Sequence, residues 1–164
     1  VPEIVKQQSA EIVKNVNERS KIEESLKASE AKYKFLVKTL PIGIAITDEK
    51  GNIVEANKAA ENILGITADD NLLNKSASSK DKFIHPDGTQ MSPEDFAEIK
   101  ALKEKWKIEN FEKGIIKEDG KIIWTSVTAA PIPLENYGIA IGYVEYYRSQ
   151  NDGGSIARER RTLS

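Results

Sequence analysis

Few residues in this chain could carry chemistry. His85 is the single histidine, so haem ligation or phosphoryl acceptance through an imidazole would rest on it alone. It precedes Pro86-Asp87-Gly88, a turn sequence, and a turn suits a surface or capping histidine better than one facing a buried cofactor. Glu94 and Asp95 are adjacent acids, but behind Ser92-Pro93 they read as the acidic first turn of a helix, complementing its dipole. No base or nucleophile accompanies them in a motif, so no enzyme is expected. The absence of cysteine removes disulfides, thiolate metal sites, thiol catalysis and any flavin attached through sulfur. Trp106, Phe111 and Trp124 could stack on a noncovalent flavin, although aromatic residues at such spacings usually belong to a core. The leading expectation is no cofactor.

A small-molecule pocket is the remaining chemistry. Its apolar wall would come from Ile46, Ile63, Leu64, Phe83, Ile99, Leu102, Phe111, Val127 and Ile141, which could equally pack together as a filled core. Asn110, Thr125 and Ser126 are the polar groups nearest to such a wall. Thr125 and Ser126 are neighbours on a strand and point to opposite faces, so only one of them can serve.

The elements that would position these residues follow from pattern. From Ile4 to about Thr39 there is no proline or glycine, and apolar residues recur at heptad spacing, which predicts a long helix. Val5, Ile12, Leu26, Tyr33 and Leu40 fall on one seam position and Ile22 and Leu36 on the other, interrupted by Asn15, Arg19 and Ser29. A seam of this kind fits a parallel two-stranded coiled coil, with the polar members setting register. Ile12, Ile22, Leu26, Tyr33, Leu36 and Leu40 are the expected dimer and relay residues.

Leu40 to Asn57 predicts a strand, a turn at Asp48 to Asn52, a return strand and a helix capped by Asn57. Ile42, Ile44 and Ile46 are expected to face the core, so that Ile44→Asp would unfold it. Lys58 to Leu64 follows as a short helix closed by Gly65. Thr67 and Asp70 form a capping pair, and NKSASSKDK is expected to have little regular structure. Ser92 should cap a helix running to about Lys105 with Phe96, Ile99, Leu102 and Trp106 buried. Ile108 to Lys117, Lys121 to Ile132 and Tyr137 to Tyr147 are strands, the first pair joined through Asp119-Gly120. Both faces of these strands carry apolar groups, so a cover is expected on each.

The totals set limits. A chain of 164 residues with 39% apolar content suits one domain with an arm. Its net charge of −2 creates no field for nucleic acid or an anionic membrane surface. No apolar run approaches the ~20 residues of a membrane span, so a cytoplasmic fragment without membrane contact is expected. Because it opens on Val1, it is expected to be a piece of a longer protein.

The ordered segments LPIGIAITD..GNIVEAN, HPDGT..SPEDF..IKAL, NFEKGIIKEDGKIIWTSVTAAPI and GIAIGYVEYY, with the lead-in SEAKYKFLVKTLP, resemble the PAS sensor family from Ser29 to Tyr147. The resemblance implies an α+β fold: a five-stranded antiparallel sheet in the order 2-1-5-4-3, helices across one face and a cavity between them. The division it suggests is a signalling helix over residues 1–40, a PAS domain over 41–148 and a flexible polar tail over 149–164. Arg158, Arg160 and Arg161 of that tail are expected to be solvated. Relatives commonly continue with Asp-Ile-Thr into an output helix where this chain has Ser149-Gln150-Asn151, which leaves the C-terminal coupling route open.

The function implied is a sensing and dimerisation module of a larger signal-transduction protein, relaying ligand or partner binding through the N-terminal helix. Its partners would be a second copy, a small molecule, and an output domain such as a two-component kinase in the same or another chain. A ligand-free interaction module is the alternative.

Overall fold

The computed structural model describes residues 2–148 and 158–160. The chain divides into two compact units, Val1–Leu40 and Pro41–Ser164. The first is helix α1 (Pro2–Thr39), which has no buried residue.

The second unit opens with strands β1 (Gly43–Asp48) and β2 (Ile53–Ala56). Asp48 makes the reversal between them, accepting from the backbone N–H of Lys50 and of Asn52, each at 2.9 Å, while Gly51 takes φ 85°. The order continues through α2 (Lys58–Leu64), α3 (Leu72–Ser78), β3 (Lys82–Ile84), a 3-10 turn (Pro93–Asp95), α4 (Ala97–Glu104), β4 (Ile108–Ile116), β5 (Ile122–Pro131) and β6 (Tyr137–Arg148). The antiparallel sheet runs β2-β1-β6-β5-β4-β3, with a further strand β7 (Arg158–Arg160) beside β6. The order expected for five strands is therefore present, and β3 extends it at the edge by pairing Phe83 with Ile115.

Register defines two faces. Phe111↔Val127, Lys113↔Thr125 and Ile115↔Ile123 share the face toward the helices, as do Ala129↔Ile141 and Val127↔Tyr143. The core lies between this face and helices α2 and α4, with Ile53, Ile63, Ile66, Leu72, Phe96, Ile99, Ile115, Val127, Ile139, Ile141 and Tyr143 buried.

Strand β1 departs from expectation. Gly43, Ala45 and Thr47 are its buried residues, whereas Ile42, Ile44 and Ile46 lie half-buried on the opposite face. The cause is close packing of α2: a Cβ on Gly43 would lie 3.1 Å from Ala60 Cα, so only small side chains fit beneath the helix. Thr47 uses its place differently, accepting the Ile139 N–H through its hydroxyl at 3.1 Å. Ile44→Asp would therefore change the outer face and not the core.

Three other expectations need correction. The first five residues of NKSASSKDK complete α3, which starts at Leu72 because Asn71 accepts from both Leu73 N–H and Asn74 N–H as its N-cap. The helix anticipated from Ser92 is broken at Phe96, whose extended ψ of 136° turns the ring inward to 2% exposure. At the other end Lys105 adopts φ 59°, ends α4, and leaves Trp106 exposed. Of the tail, residues 149–157 and 161–164 lie outside the described residues, as do the side chains of Arg158, Arg160 and Arg161. Residues 158–160 are described by their backbone alone, as β7.

Candidate functional site

The strongest polar feature of the core begins with strand parity. On β4, Phe111, Lys113 and Ile115 point in the same direction, so the lysine is carried under the helices. Helix α4 begins just after the bend at Phe96, and its second residue, Glu98, faces the same space. The two meet as a salt bridge of 2.9 Å with side chains only 2% and 1% exposed. An ion pair so deep forfeits the hydration of both partners and depends on every remaining polar atom being satisfied.

Here that condition is met poorly within the protein. Lys113 Nζ donates to Glu98 Oε1, while Glu98 Oε2 and the buried Tyr143 hydroxyl, although the two residues are neighbours, make no hydrogen bond of good geometry. Burial, and then the adjacent Glu98 carboxylate, push the Tyr143 phenol well above its ordinary pKa, so it stays a neutral O–H donor. Aromatic rings surround the ammonium: Nζ lies 4.0 Å from the Phe96 centroid, 5.3 Å from Phe83 and 5.8 Å from Tyr143. Phe83 and Phe96 stand edge to face at 4.6 Å, which fixes the walls.

Beside this cluster is a cavity of about 30 Å³, with Leu64, Ile66, Leu72, Phe83, Phe96, Glu98, Lys113 and Tyr143 around it and Lys75 and Ser76 of α3, with Ser79 just after it, toward solvent. That volume holds roughly one water. Lys117 steadies the surrounding frame by donating to the Ile63 carbonyl of α2 and to Asp81, at 2.8 and 2.9 Å. Broader depressions of about 350 and 380 Å³ lie around Trp124 and Tyr146, but they are open, and the Arg148 guanidinium stacks over Trp124 at 4.4 Å.

Of the pocket residues expected from sequence, Leu64 and Phe83 line the cavity. Ile63, Ile99, Val127 and Ile141 are buried in the surrounding core, and Leu102 and Phe111 pack at its margin. Ile46 does not belong: it is on the opposite face of the sheet, for the parity reason given above. Asn110 is exposed, with φ 52° at the irregularity in β4, and its N–H donates to Thr128 Oγ1. Thr125 is buried, but its hydroxyl donates to the Lys113 carbonyl at 2.9 Å and does not reach the cavity. Ser126 faces outward with Trp124.

His85 sits in the turn, where its N–H bonds to the Thr89 carbonyl and its carbonyl accepts from Gly88. It is not among the residues lining the cavity. The possible flavin stackers are not gathered together: Trp106 is exposed, Phe111 faces the helices, and Trp124 lies on the outer face. No group of three or more His, Asp or Glu side chains able to hold a metal occurs among the described residues. Glu98, Lys113 and Tyr143 were not singled out from sequence. The usable signal was Lys113 itself, a charge at an inward position between Phe111 and Ile115.

Comparison with known proteins agrees with this architecture. The family model described as "PAS domain" matches residues 41–149. The PAS domain of an HTR-like protein from Haloarcula marismortui is similar in structure, with a TM-score of 0.51 and 16% identity, covering 77% of this chain and 98% of that one. A PAS domain from Colwellia psychrerythraea has a TM-score of 0.46 at 21% identity, covering 73% and 96%. The PAS domain of nitrogen regulation protein NR(II) from Vibrio parahaemolyticus has 0.46 at 16%, covering 67% and 94%. A search of curated proteins returned no match. With its sheet order, its helices on one face and a family match over most of its length, the chain belongs to the PAS domain family.

Proposed function

We propose that this chain is the sensing module of a larger signal-transduction protein, acting as a homodimer and responding to a small molecule in the cavity between sheet and helices. The observation that carries the reading is the buried Lys113–Glu98–Tyr143 cluster, in which an acceptor and a donor lack well-formed hydrogen bonds beside an unfilled space. A protein core without a binding role loses stability by retaining such groups. In this reading the chain catalyses nothing and works in the cytoplasm; no helix among the described residues is long and apolar enough to cross a membrane.

The relay runs through α1. Ile12, Ile22, Leu26 and Leu36 are each more than half exposed, and Tyr33 and Leu40 are about two-fifths exposed. A 38-residue helix with no buried residue draws its stability from a partner surface, and the heptad seam selects a second copy of the same helix. A ligand that shifts the packing around Glu98 would bias two arrangements of the dimer.

Native mass spectrometry on protein purified without denaturant tests sensing: a reproducible bound metabolite is expected. Sedimentation tests the relay: Leu26→Asp and Leu36→Asp should yield monomers with the PAS fold intact. A wild-type chain that sediments as a monomer at high concentration would overturn the relay. The second reading, a ligand-free interaction module, draws on the half-buried row Ile42, Ile44, Ile46 and Val144 on the outer face and on the one-water size of the cavity. It gains if no metabolite is retained.

A further inference from the structure

We infer that the cavity is a site for a short-chain monocarboxylate, and that Glu98 is its built-in surrogate, holding Lys113 until a free carboxylate displaces it. This inference rests on the cavity being the sensing site.

The lining supplies the argument. Apart from Glu98, its side chains are either apolar or hydrogen-bond donors: Lys113 and Tyr143 inside, and Lys75, Ser76 and Ser79 toward the outside. Glu98 is the single side chain there that only accepts. Lys113 is fixed on an interior strand, with its ammonium held against Phe96 and Phe83, so the cation stays while the anion can change. A neutral or cationic ligand would leave the lysine without a counter-charge. A carboxylate would replace the counter-charge one for one, with Glu98 passing into water toward α3.

Size follows from the same residue. Beyond its Cα the Glu98 side chain is a propionate group, so its departure vacates the volume of that anion. The adjoining 30 Å³ adds room for roughly one more carbon. One ligand oxygen would take the place of Glu98 Oε1 on Lys113 Nζ, now 2.9 Å away. The other would accept from the Tyr143 hydroxyl, which at present lies beside Glu98 without a hydrogen bond of good geometry. Leu64, Ile66 and Leu72 would cover the hydrocarbon end. The fit favours three or four carbons.

The test is a thermal-shift and amide-NMR titration of the whole chain with acetate, propionate, butyrate and octanoate against chloride at matched ionic strength, with propylammonium and propanol as probes of the other classes. Expected are saturable shifts with propionate and butyrate, weak ones with acetate and none with octanoate, centred on the amides of Glu98, Lys113 and Tyr143. Glu98→Gln removes the competitor and should lower the apparent Kd for propionate at least tenfold. Glu98→Gln/Lys113→Met, which leaves no buried charge, should fold and lose the response. If propionate matches chloride in both wild type and Glu98→Gln, the inference is overturned. Sensing itself survives that result if propylammonium, propanol or a co-purified metabolite occupies the cavity, and fails with it if nothing does.

Discussion

Asn57→Ala should be among the more damaging polar substitutions in the PAS domain, because one side chain ties three backbone groups together. Its Oδ1 accepts from Ala60 N–H at 3.0 Å, capping α2, and from Ile44 N–H at 2.8 Å; its Nδ2 donates to the Ile42 carbonyl at 2.8 Å. Asn57 is 8% exposed, so water replaces these bonds poorly. With about 1 kcal/mol for the cap and about 1 kcal/mol for each of the other two, the loss is about 3 kcal/mol. Asn57→Asp keeps both acceptor bonds and sets an oxygen against the Ile42 carbonyl in place of the donor, for a loss of roughly 1 to 2 kcal/mol. Urea unfolding followed by tryptophan fluorescence suits the measurement, since Trp106 and Trp124 both lie after Pro41 and the signal excludes α1. At a slope of roughly 1 to 3 kcal/mol per molar, the alanine midpoint should fall by roughly 1 to 3 M. A loss below about 1 kcal/mol for alanine, no more than an ordinary cap, would refute the claim that Asn57 joins strand entry to helix start.

Other outcomes follow from local geometry. Lys113→Met should cost about 3 to 5 kcal/mol by stranding the Glu98 charge, and Lys113→Met/Glu98→Leu should recover most of it, as read by the same unfolding curves. Gly138→Ala should prevent folding, because its Cβ would collide with the Asp48 carbonyl oxygen and lie 2.6 Å from Thr47 Oγ1. Gly88→Ala meets open space at φ 87° and should cost only about 1 to 2 kcal/mol, measured by thermal melting. The Asp48 carboxyl is held below its ordinary value, chiefly by the Asn52 side-chain hydrogen bond. A depressed folded-state pKa gives stability that is present above the unfolded value near 3.8 and is lost as pH falls through the folded one. Asn52→Ala should therefore raise the Asp48 pKa in a carboxyl NMR titration and move acid unfolding to higher pH.

Local chemistry made much of the fold legible. The cap that Asn57 places on α2, Gly51 and the Asp119-Gly120 turn act within a few residues of themselves, so these roles can be read without knowing what packs nearby. The bonds from Asn57 to Ile42 and Ile44 could not be read in that way. Strand β1 shows the limit. Its bulky residues alternate cleanly, but which stripe turns inward was decided by the approach of Ala60, a tertiary contact. Trp106 followed the left-handed turn at Lys105, and Phe96 broke a helix that its caps alone would have let run. The site was the least legible part. Glu98 and Lys113 are 15 residues apart on elements with no shared motif, and each alone resembles an ordinary surface charge. The inward parity of β4 places Lys113, and the start of α4 after the bend at Phe96 brings Glu98 to it.

The hydroxyl of Thr47 bears on how the domain assembles. The bonds of Asn57 close loops of 13 and 15 residues, and β4, β5 and β6 succeed one another as a meander, so both halves of the sheet can form from near neighbours. The bond between Thr47 and Ile139 spans 92 residues and stitches those halves together along β1 and β6. Closing that span carries the largest loop entropy among these contacts and brings no return until β1 docks. The seam between β1 and β6 is therefore expected to form late, and substitutions there should slow refolding more than equally destabilising ones within either half, as stopped-flow refolding would read.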